Sequence, residues 1–252
     1  MITVKKEKDI AELRVSGRIL GAVLRELARM AVPGISLSKL DERARGLIRE
    51  AGARPAFLGY RPEGEGSPFP GAICASLNDT VVHGIPGKQK LKEGDVLSID
   101  LGVDYRGYFT DAAVTVGVGK ISETARRLIT TAQDALREAI ALCRPGNQLG
   151  DIGNAISETA RRAGFSVVRG LTGHGVGFEL HEDPTVFNYG KRGQGIELKK
   201  GYVLALEPMF SAGSGDIIQK DDESFATKDH SIAAHAEHTV LITDGDPEVL
   251  TL

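Results

Sequence analysis

The chain contains no tryptophan and only two cysteines, and aromatic residues of all kinds make up 5% of its 252 positions. Cys74 and Cys143 lie far apart with no CxxC spacing, so neither a disulfide framework nor a thiolate zinc site is supported and both read as free thiols. No stretch approaches the roughly 20 apolar residues that a membrane-spanning helix requires. The first residues include Lys5, Lys6, Glu7, Lys8 and Asp9, which excludes the apolar centre of a secretion signal. Charge of one sign is missing too. The 31 basic and 34 acidic side chains leave a net −3, which provides no basic field to hold nucleic acid or an anionic membrane. The expectation is a cytoplasmic enzyme or binding protein, long enough to bury a substantial core in one large domain or two small ones.

What the sequence does contain is a repeat. Residues 23–52, VLRELARMAVPGISLSKLDERARGLIREAG, match residues 135–164, ALREAIALCRPGNQLGDIGNAISETARRAG, without a gap at an offset of 112. Leu24, Arg25 and Glu26 fall on Leu136, Arg137 and Glu138; Pro33 and Gly34 fall on Pro145 and Gly146; Ala51 and Gly52 fall on Ala163 and Gly164. Each copy reads as two helices joined at Pro-Gly. In the first, Ile19, Leu20, Val23, Leu24 and Leu27 recur at helical spacing, Ser36 or Ser38 offers an N-cap to the next helix, and Gly52 offers a stop. A second repeat follows each helical pair: LKEGDVLSIDLGV at 91–103 resembles LKKGYVLALEPMF at 198–210, at an offset of 107, and aligns Asp100 with Glu207. Further on, TDAAVTV from Thr110 resembles AEHTVLI from Ala236 and sets Asp111 opposite Glu237. No Ser/Gly/Pro-rich linker separates the copies. The pattern predicts one α+β domain over residues 1–252, with pseudo-twofold halves at roughly 9–118 and 122–243 and a mostly antiparallel sheet covered by helices. An active site on the pseudo-axis would draw from both halves.

Asp100 lies inside VLSIDLGV and Glu207 inside YVLALEPMF, runs whose Val, Leu and Ile content marks buried strands. An ionised carboxylate in such surroundings needs a partner or must take up a proton. A salt bridge could serve one residue. Four carboxylates at paired positions are harder to satisfy, because these strand segments contain no Lys or Arg. Two divalent cations would balance the four negative charges, and His174, in GHGVG, adds one imidazole, with glycines on both sides that allow close backbone approach. Oxygen-rich ligation with a single nitrogen suits manganese, iron(II), cobalt(II) or zinc better than calcium or magnesium. Two further histidines stand in suggestive settings: His83 in NDTVVHGIPG, read as the edge of a strand facing a cleft, and His181 in ELHEDP. A solvated loop histidine fits each of these two on its own as well as a catalytic one does.

Seven motifs in order, NDTVVHGIP, SIDLG, YFTDAAVT, GHGVG, LHEDP, LEPMF and AEHTV, resemble those of the methionine aminopeptidases, over nearly the whole chain. The resemblance implies the pita-bread fold and removal of the initiator methionine from nascent proteins and peptides. It implies that Asp111 and Glu237 bridge two divalent ions, that Asp100 chelates one, and that His174 and Glu207 bind the other. It implies metal-assisted hydrolysis with Glu207 as general base, with His181 on the scissile carbonyl and His83 near the scissile nitrogen. Tyr60 and Cys74 match positions lining the methionine pocket. Glu207 and Glu237 are only 30 positions apart, which excludes the large insertion of type II members and indicates a type I form; the sequence starts almost at the catalytic domain, so the short, bacterial-like form is expected. Nothing in the sequence demands a partner chain, so a monomer is expected. Work on nascent chains would bring it transiently to the ribosome, although no segment marks such binding.

The pattern departs from the family in places that bear on the pocket. The interval 61–73 is long, Leu180 and Ala236 stand where aromatics are common, and Glu223 stands where some members have a tryptophan. Fewer aromatic walls are therefore expected, which an unbranched methionine side chain could still use. Two other readings compete. An Xaa-Pro peptidase of the prolidase or aminopeptidase P kind shares the GHG motif and the His-Glu-x-Pro pattern, and FELHEDP fits either. A noncatalytic pita-bread module would bind peptides, histones or RNA, but such proteins usually lose ligands, and here five ligands and both histidines are present.

Overall fold

The structure, a computed structural model, describes residues 2–61 and 67–252. The first half opens with α1 (Glu7–Met30) and α2 (Leu37–Glu50), joined at Pro33-Gly34 as the repeat predicts. Gly34 has φ +94 and its counterpart Gly146 has φ +90, a left-handed conformation that only glycine adopts without strain. Ser36 is the N-cap of α2 and accepts a hydrogen bond from the Lys39 amide, which satisfies one of the orphan donors of the first turn. Strands β1 (Arg54–Pro55), β2 (Cys74–Leu77), β3 (Thr80–Val82), β4 (Val96–Tyr105) and β5 (Tyr108–Gly117) follow.

The second half repeats the plan with α3 (Glu123–Ala141) and α4 (Leu149–Ala163). Ten short strands follow: β6 (Ser166–Val167), β7 (Gly173–Gly175), β8 (Glu182–Val186), β9 (Val203–Leu206), β10 (Met209–Ser211), β11 (Ile217–Gln219), β12 (Phe225–Thr227), β13 (Ala233–His235), β14 (His238–Leu241) and β15 (Glu248–Val249). All strand pairings are antiparallel. In the first half, β4 carries β1, β2 and β5; in the second, the order is β15-β14-β9-β7-β8.

The two offsets recur in the packing. One core cluster contains Leu20, Val23, Leu24, Leu27, Leu40, Ala44 and Ile48. A second holds their counterparts Ala132, Ala135, Leu136, Ala139, Ile152, Ile156 and Ala160. The strand offset behaves likewise, since Leu97 and Ile99 lie in the first cluster and Leu204 and Leu206 in the second. Even the isolated bridge Ser36–Lys90 has its equivalent in Gln148–Glu197. Each helix pair thus packs on the strands of its own half, and the start of α1 also reaches the second half, where Ile10 and Leu13 pack with Val203, Ala205 and Leu241.

The halves are tied at that meeting point by the backbone beside the acidic residues. The Asp111 amide donates to Thr239 Oγ1 at 2.9 Å and Thr239 Oγ1 donates to the Asp111 carbonyl at 2.7 Å. The Glu237 amide donates to the Ala113 carbonyl at 3.0 Å. These bonds fix the acids of one half against those of the other before any ligand is considered.

Candidate metal centre

Asp100 sits mid-strand in β4, directly opposite Cys74 on β2 and Ala113 on β5. Asp111 projects from β5. Glu207 differs from its expected place inside a strand: it follows β9, where the ladder breaks before β10. Pro208 is the physical reason, because it has no N–H to donate. Glu237 occupies the matching break between β13 and β14. The Glu207 carbonyl, freed from the ladder, accepts from Asn188 Nδ2 at 2.7 Å.

His174 is the central residue of β7, and its glycine neighbours are required by close backbone approach. A Cβ on Gly175 would lie 2.1 Å from the Asp183 carbonyl oxygen. The His174 Nδ1 lies 2.8 Å from the Gly175 carbonyl oxygen; with the proton on Nδ1 donated there, Nε2 keeps its lone pair for a ligand. That Nε2 is 3.3 Å from Glu207 Oε1 and 3.9 Å from Asp111 Oδ2.

The acids are buried, with Asp111 3% and Glu237 1% exposed. Among the described residues, an oxygen atom of each of Asp100, Asp111, Glu207 and Glu237 has no hydrogen-bond partner. No lysine or arginine forms an ion pair with any of the four among the described residues. Burial, and then repulsion from Asp111 and Glu207, holds the Asp100 carboxyl well above the usual range. Burial and the same neighbours do so for Glu237, and burial pushes Asp111 up to about 7. Glu207 goes the other way: burial pushes it up, but the imidazoles of His235, His174 and His181 together outweigh burial. Four carboxylates that cannot all ionise unaided, aimed at one another with orphaned oxygens, fit divalent cations. Subsets of these residues place ligand atoms within 4.8 Å of one another: His174, Glu207 and Glu237 in one group, Asp100, His235 and Glu237 in another, and Asp111, His174 and His181 in a third.

The nine candidate ligand, catalytic and pocket residues, Tyr60, Cys74, His83, Asp100, Asp111, His174, His181, Glu207 and Glu237, all open onto one cleft of 780 Å³. His83 comes immediately after β3 with φ +60. Its ring lies edge-on to Phe225 with centroids 5.8 Å apart, and burial lowers its pKa. His181 Nδ1 lies 2.6 Å from the Tyr60 hydroxyl, and its ring is 4.4 Å from that of His174. Burial, then the His174 charge, lowers its pKa to about 4. Burial and then Asp100 raise the Cys74 thiol well above its ordinary value, so it stays protonated.

Leu180 and Glu223 line the cleft, and Phe57, Phe69 and Phe225 stand there beside Tyr60, with Leu180 packed against Phe57 and Cys74. One expectation about the pocket is corrected. Ala236 does not face this cleft. It lines a separate cavity of 620 Å³ between α1 and α3. Glu223 does line the cleft, and its Oε1 accepts from the Ser67 amide at 3.4 Å. Of the long interval 61–73, residues 62–66 lie outside the described residues.

Sequence reading missed His235, which is 1% exposed. Its Nε2 is 3.5 Å from Glu207 Oε2 and 3.7 Å from Glu237 Oε2. The available signal was its spacing of two from Glu237, which puts both side chains on one face of an extended segment.

Comparison with known proteins agrees with this geometry. The profile of metallopeptidase family M24 matches residues 11–244. A methionine aminopeptidase of Clostridium acetobutylicum is 42% identical over 100% of this chain and 99% of its own length. The crystal structure of a Thermotoga maritima methionine aminopeptidase superposes with a TM-score of 0.95 at 41% identity, covering 100% of this chain and 99% of that one. A Pyrococcus furiosus prolidase shares the fold at 22% identity and TM-score 0.79, and there the match covers 99% of this chain but 65% of the prolidase. The architecture is the pita-bread fold.

Proposed function

We propose that this chain, which belongs to metallopeptidase family M24, removes the N-terminal methionine from nascent proteins and peptides. The observation that carries the reading is the set of four buried carboxylates with orphaned oxygens beside His174, in a chain 42% identical along its full length to a methionine aminopeptidase.

Asp100, Asp111, His174, Glu207 and Glu237 would together hold two divalent ions. Bound there, such ions supply Lewis acidity and a hydroxide-like nucleophile near neutral pH. Manganese, iron(II), cobalt(II) and zinc all suit four carboxylates and an imidazole. The protein residues do the rest. Glu207, kept ionised by the surrounding imidazoles, accepts the proton of the attacking water at its carboxylate and passes it to the departing amine. His181 is neutral at working pH; with the Tyr60 hydroxyl donating to Nδ1, Nε2–H is free to donate to the scissile carbonyl oxygen as negative charge develops. His83, across the cleft, contacts the scissile nitrogen. Phe57, Tyr60, Phe69, Cys74 and Leu180 form an apolar wall against which an unbranched thioether side chain packs.

We read residues 1–252 as one catalytic domain acting as a monomer in the cytoplasm, since both halves of the ligand set come from the same chain. Nascent chains would bring it transiently to the ribosome. A peptide panel tests the substrate: Met-Ala-Ser and Met-Gly peptides are expected to lose methionine, with small second residues preferred. Fast cleavage of Xaa-Pro peptides with no release of methionine would replace this reading with the prolidase one.

A further inference from the structure

His181 stands at the end of the loop between β7 and β8, and Glu182, the first residue of β8, closes that loop on itself. Its Oε1 accepts hydrogen bonds from two backbone amides, that of Phe178 at 2.6 Å and that of Glu179 at 3.1 Å. The ring so formed contains Leu180 and His181. Leu180 is held by its own packing against Phe57 and Cys74. The His181 ring meets the Tyr60 hydroxyl and the His174 ring, but the direction in which it leaves the backbone is set by the closed loop.

The other oxygen of Glu182 faces a buried cation. Lys5 Nζ forms an ion pair with Glu182 Oε2, and the two side chains are 1% and 9% exposed. The ammonium also lies 5.3 Å from the centre of the Phe178 ring, within reach of a cation–π attraction. Its stem runs against the backbone of Gly177, where an added Cβ would come 2.3 Å from Lys5 Cε. The Gly177 carbonyl in turn accepts from the Phe109 amide at 2.7 Å, and the Lys5 amide donates to the Gly201 carbonyl at 2.9 Å. The cation is thus anchored outside the loop it serves. A buried ion pair contributes little net stability, because desolvation offsets the attraction. Its place behind the loop that carries His181 points to another use.

We propose that Glu182 is a positioning residue for His181: it fixes the backbone that aims the imidazole at the scissile carbonyl, and Lys5 is the counter-ion that keeps its carboxylate in place. The proposal rests on the role given to His181 above and deepens it. What the loop needs is the acceptor at Oε1. The cation is needed because a carboxylate supplies that acceptor, and a buried carboxylate requires a partner. A neutral acceptor at position 182 therefore makes Lys5 dispensable.

Two double variants of the metal-replete, full-length enzyme separate acceptor from charge, since replacing both members of a buried pair by neutral groups is often harmless to folding. In Lys5→Met/Glu182→Gln the side-chain carbonyl still accepts from Phe178 and Glu179, and kcat for a Met-Ala-Ser peptide should stay near the wild-type value. In Lys5→Met/Glu182→Met the acceptor is gone, and kcat should fall about 10–100-fold, as for a misplaced catalytic group, with KM little changed. Added to His181→Ala, the same two methionine substitutions should cost nothing further, because residues that act through one another are not additive. Wild-type kcat in Lys5→Met/Glu182→Met, equal losses in the two double variants, or the same loss with and without His181 would overturn the proposal and leave the role of His181 standing. Wild-type kcat in His181→Ala alone would overturn both. Amide hydrogen exchange of the wild-type protein requires no variant to fold: the Phe178 and Glu179 amides should be protected, and exchange at free-peptide rates would overturn the proposal.

Discussion

A neutral imidazole at His181 sets the chemistry of the cleft at the scale of one residue. Burial lowers its pKa to about 4, so it donates a hydrogen bond without changing charge across the neutral range. The His181→Ala protein should fold and keep its metals while kcat falls by about 10²–10³, the usual cost of losing one oxyanion donor. Unchanged turnover in a metal-replete variant would remove this role. Gly175→Ala makes a different demand. The new Cβ would meet the Asp183 carbonyl at 2.1 Å, and overpacking of this kind costs about 1–3 kcal/mol. Urea unfolding should show that loss, and calorimetry should show weaker metal binding as His174 is displaced; wild-type values for both would contradict the close approach. The acids and His174 were legible in the sequence because charge within an apolar strand stands out. His235 was not, because a lone histidine among alanines carries no such contrast and only the folded chain brings it to Glu207.

Among the elements, the C-terminal β15 is held to α1 by a bidentate pair, Arg14 Nε to Glu248 Oε1 at 2.7 Å and Nη2 to Oε2 at 2.8 Å. The hydrogen bond from Arg14 lowers the Glu248 pKa, against a smaller opposing effect of burial. A depressed carboxylate stabilises the fold above its unfolded value of about 4.3, and that contribution is lost as pH falls through the folded value. Both side chains are more than a third exposed or close to it, so solvent screening limits the pair to at most about 1 kcal/mol. Arg14→Leu should therefore lower the urea midpoint slightly at pH 7, with an effect that shrinks as the pH is lowered below the ordinary carboxylate range; an equal effect at every pH would show that packing and not charge is involved. Helix boundaries, the Pro-Gly turns and the paired core positions followed from the repeat, since periodicity and turn chemistry are local. The break at Glu207-Pro208 could have been read from the proline alone. The pairing order of the short strands β6 to β15 could not, because long-range contacts select it.

At the scale of the molecule, the repeat places two acids from each half on a shared axis, and cross-bonds such as Asp111–Thr239 hold them there without metal. Repulsion among them is left for cations to relieve. A ligand at 100 times its Kd adds about 2.7 kcal/mol to stability, and a chain of this size gains about 2–4 °C per kcal/mol. Saturating Mn(II) or Co(II) should therefore raise the Tm of stripped protein by about 5–10 °C; no shift would mean that the acids are satisfied some other way. The most direct test of the central claim is release of free methionine from Met-Ala-Ser by anaerobically purified protein, stripped with chelator and then resupplied with Mn(II), Co(II) or Fe(II). The account predicts no release when stripped and recovery on adding the metal, with Asp111→Asn inactive throughout; full release from the stripped protein in excess chelator would contradict it.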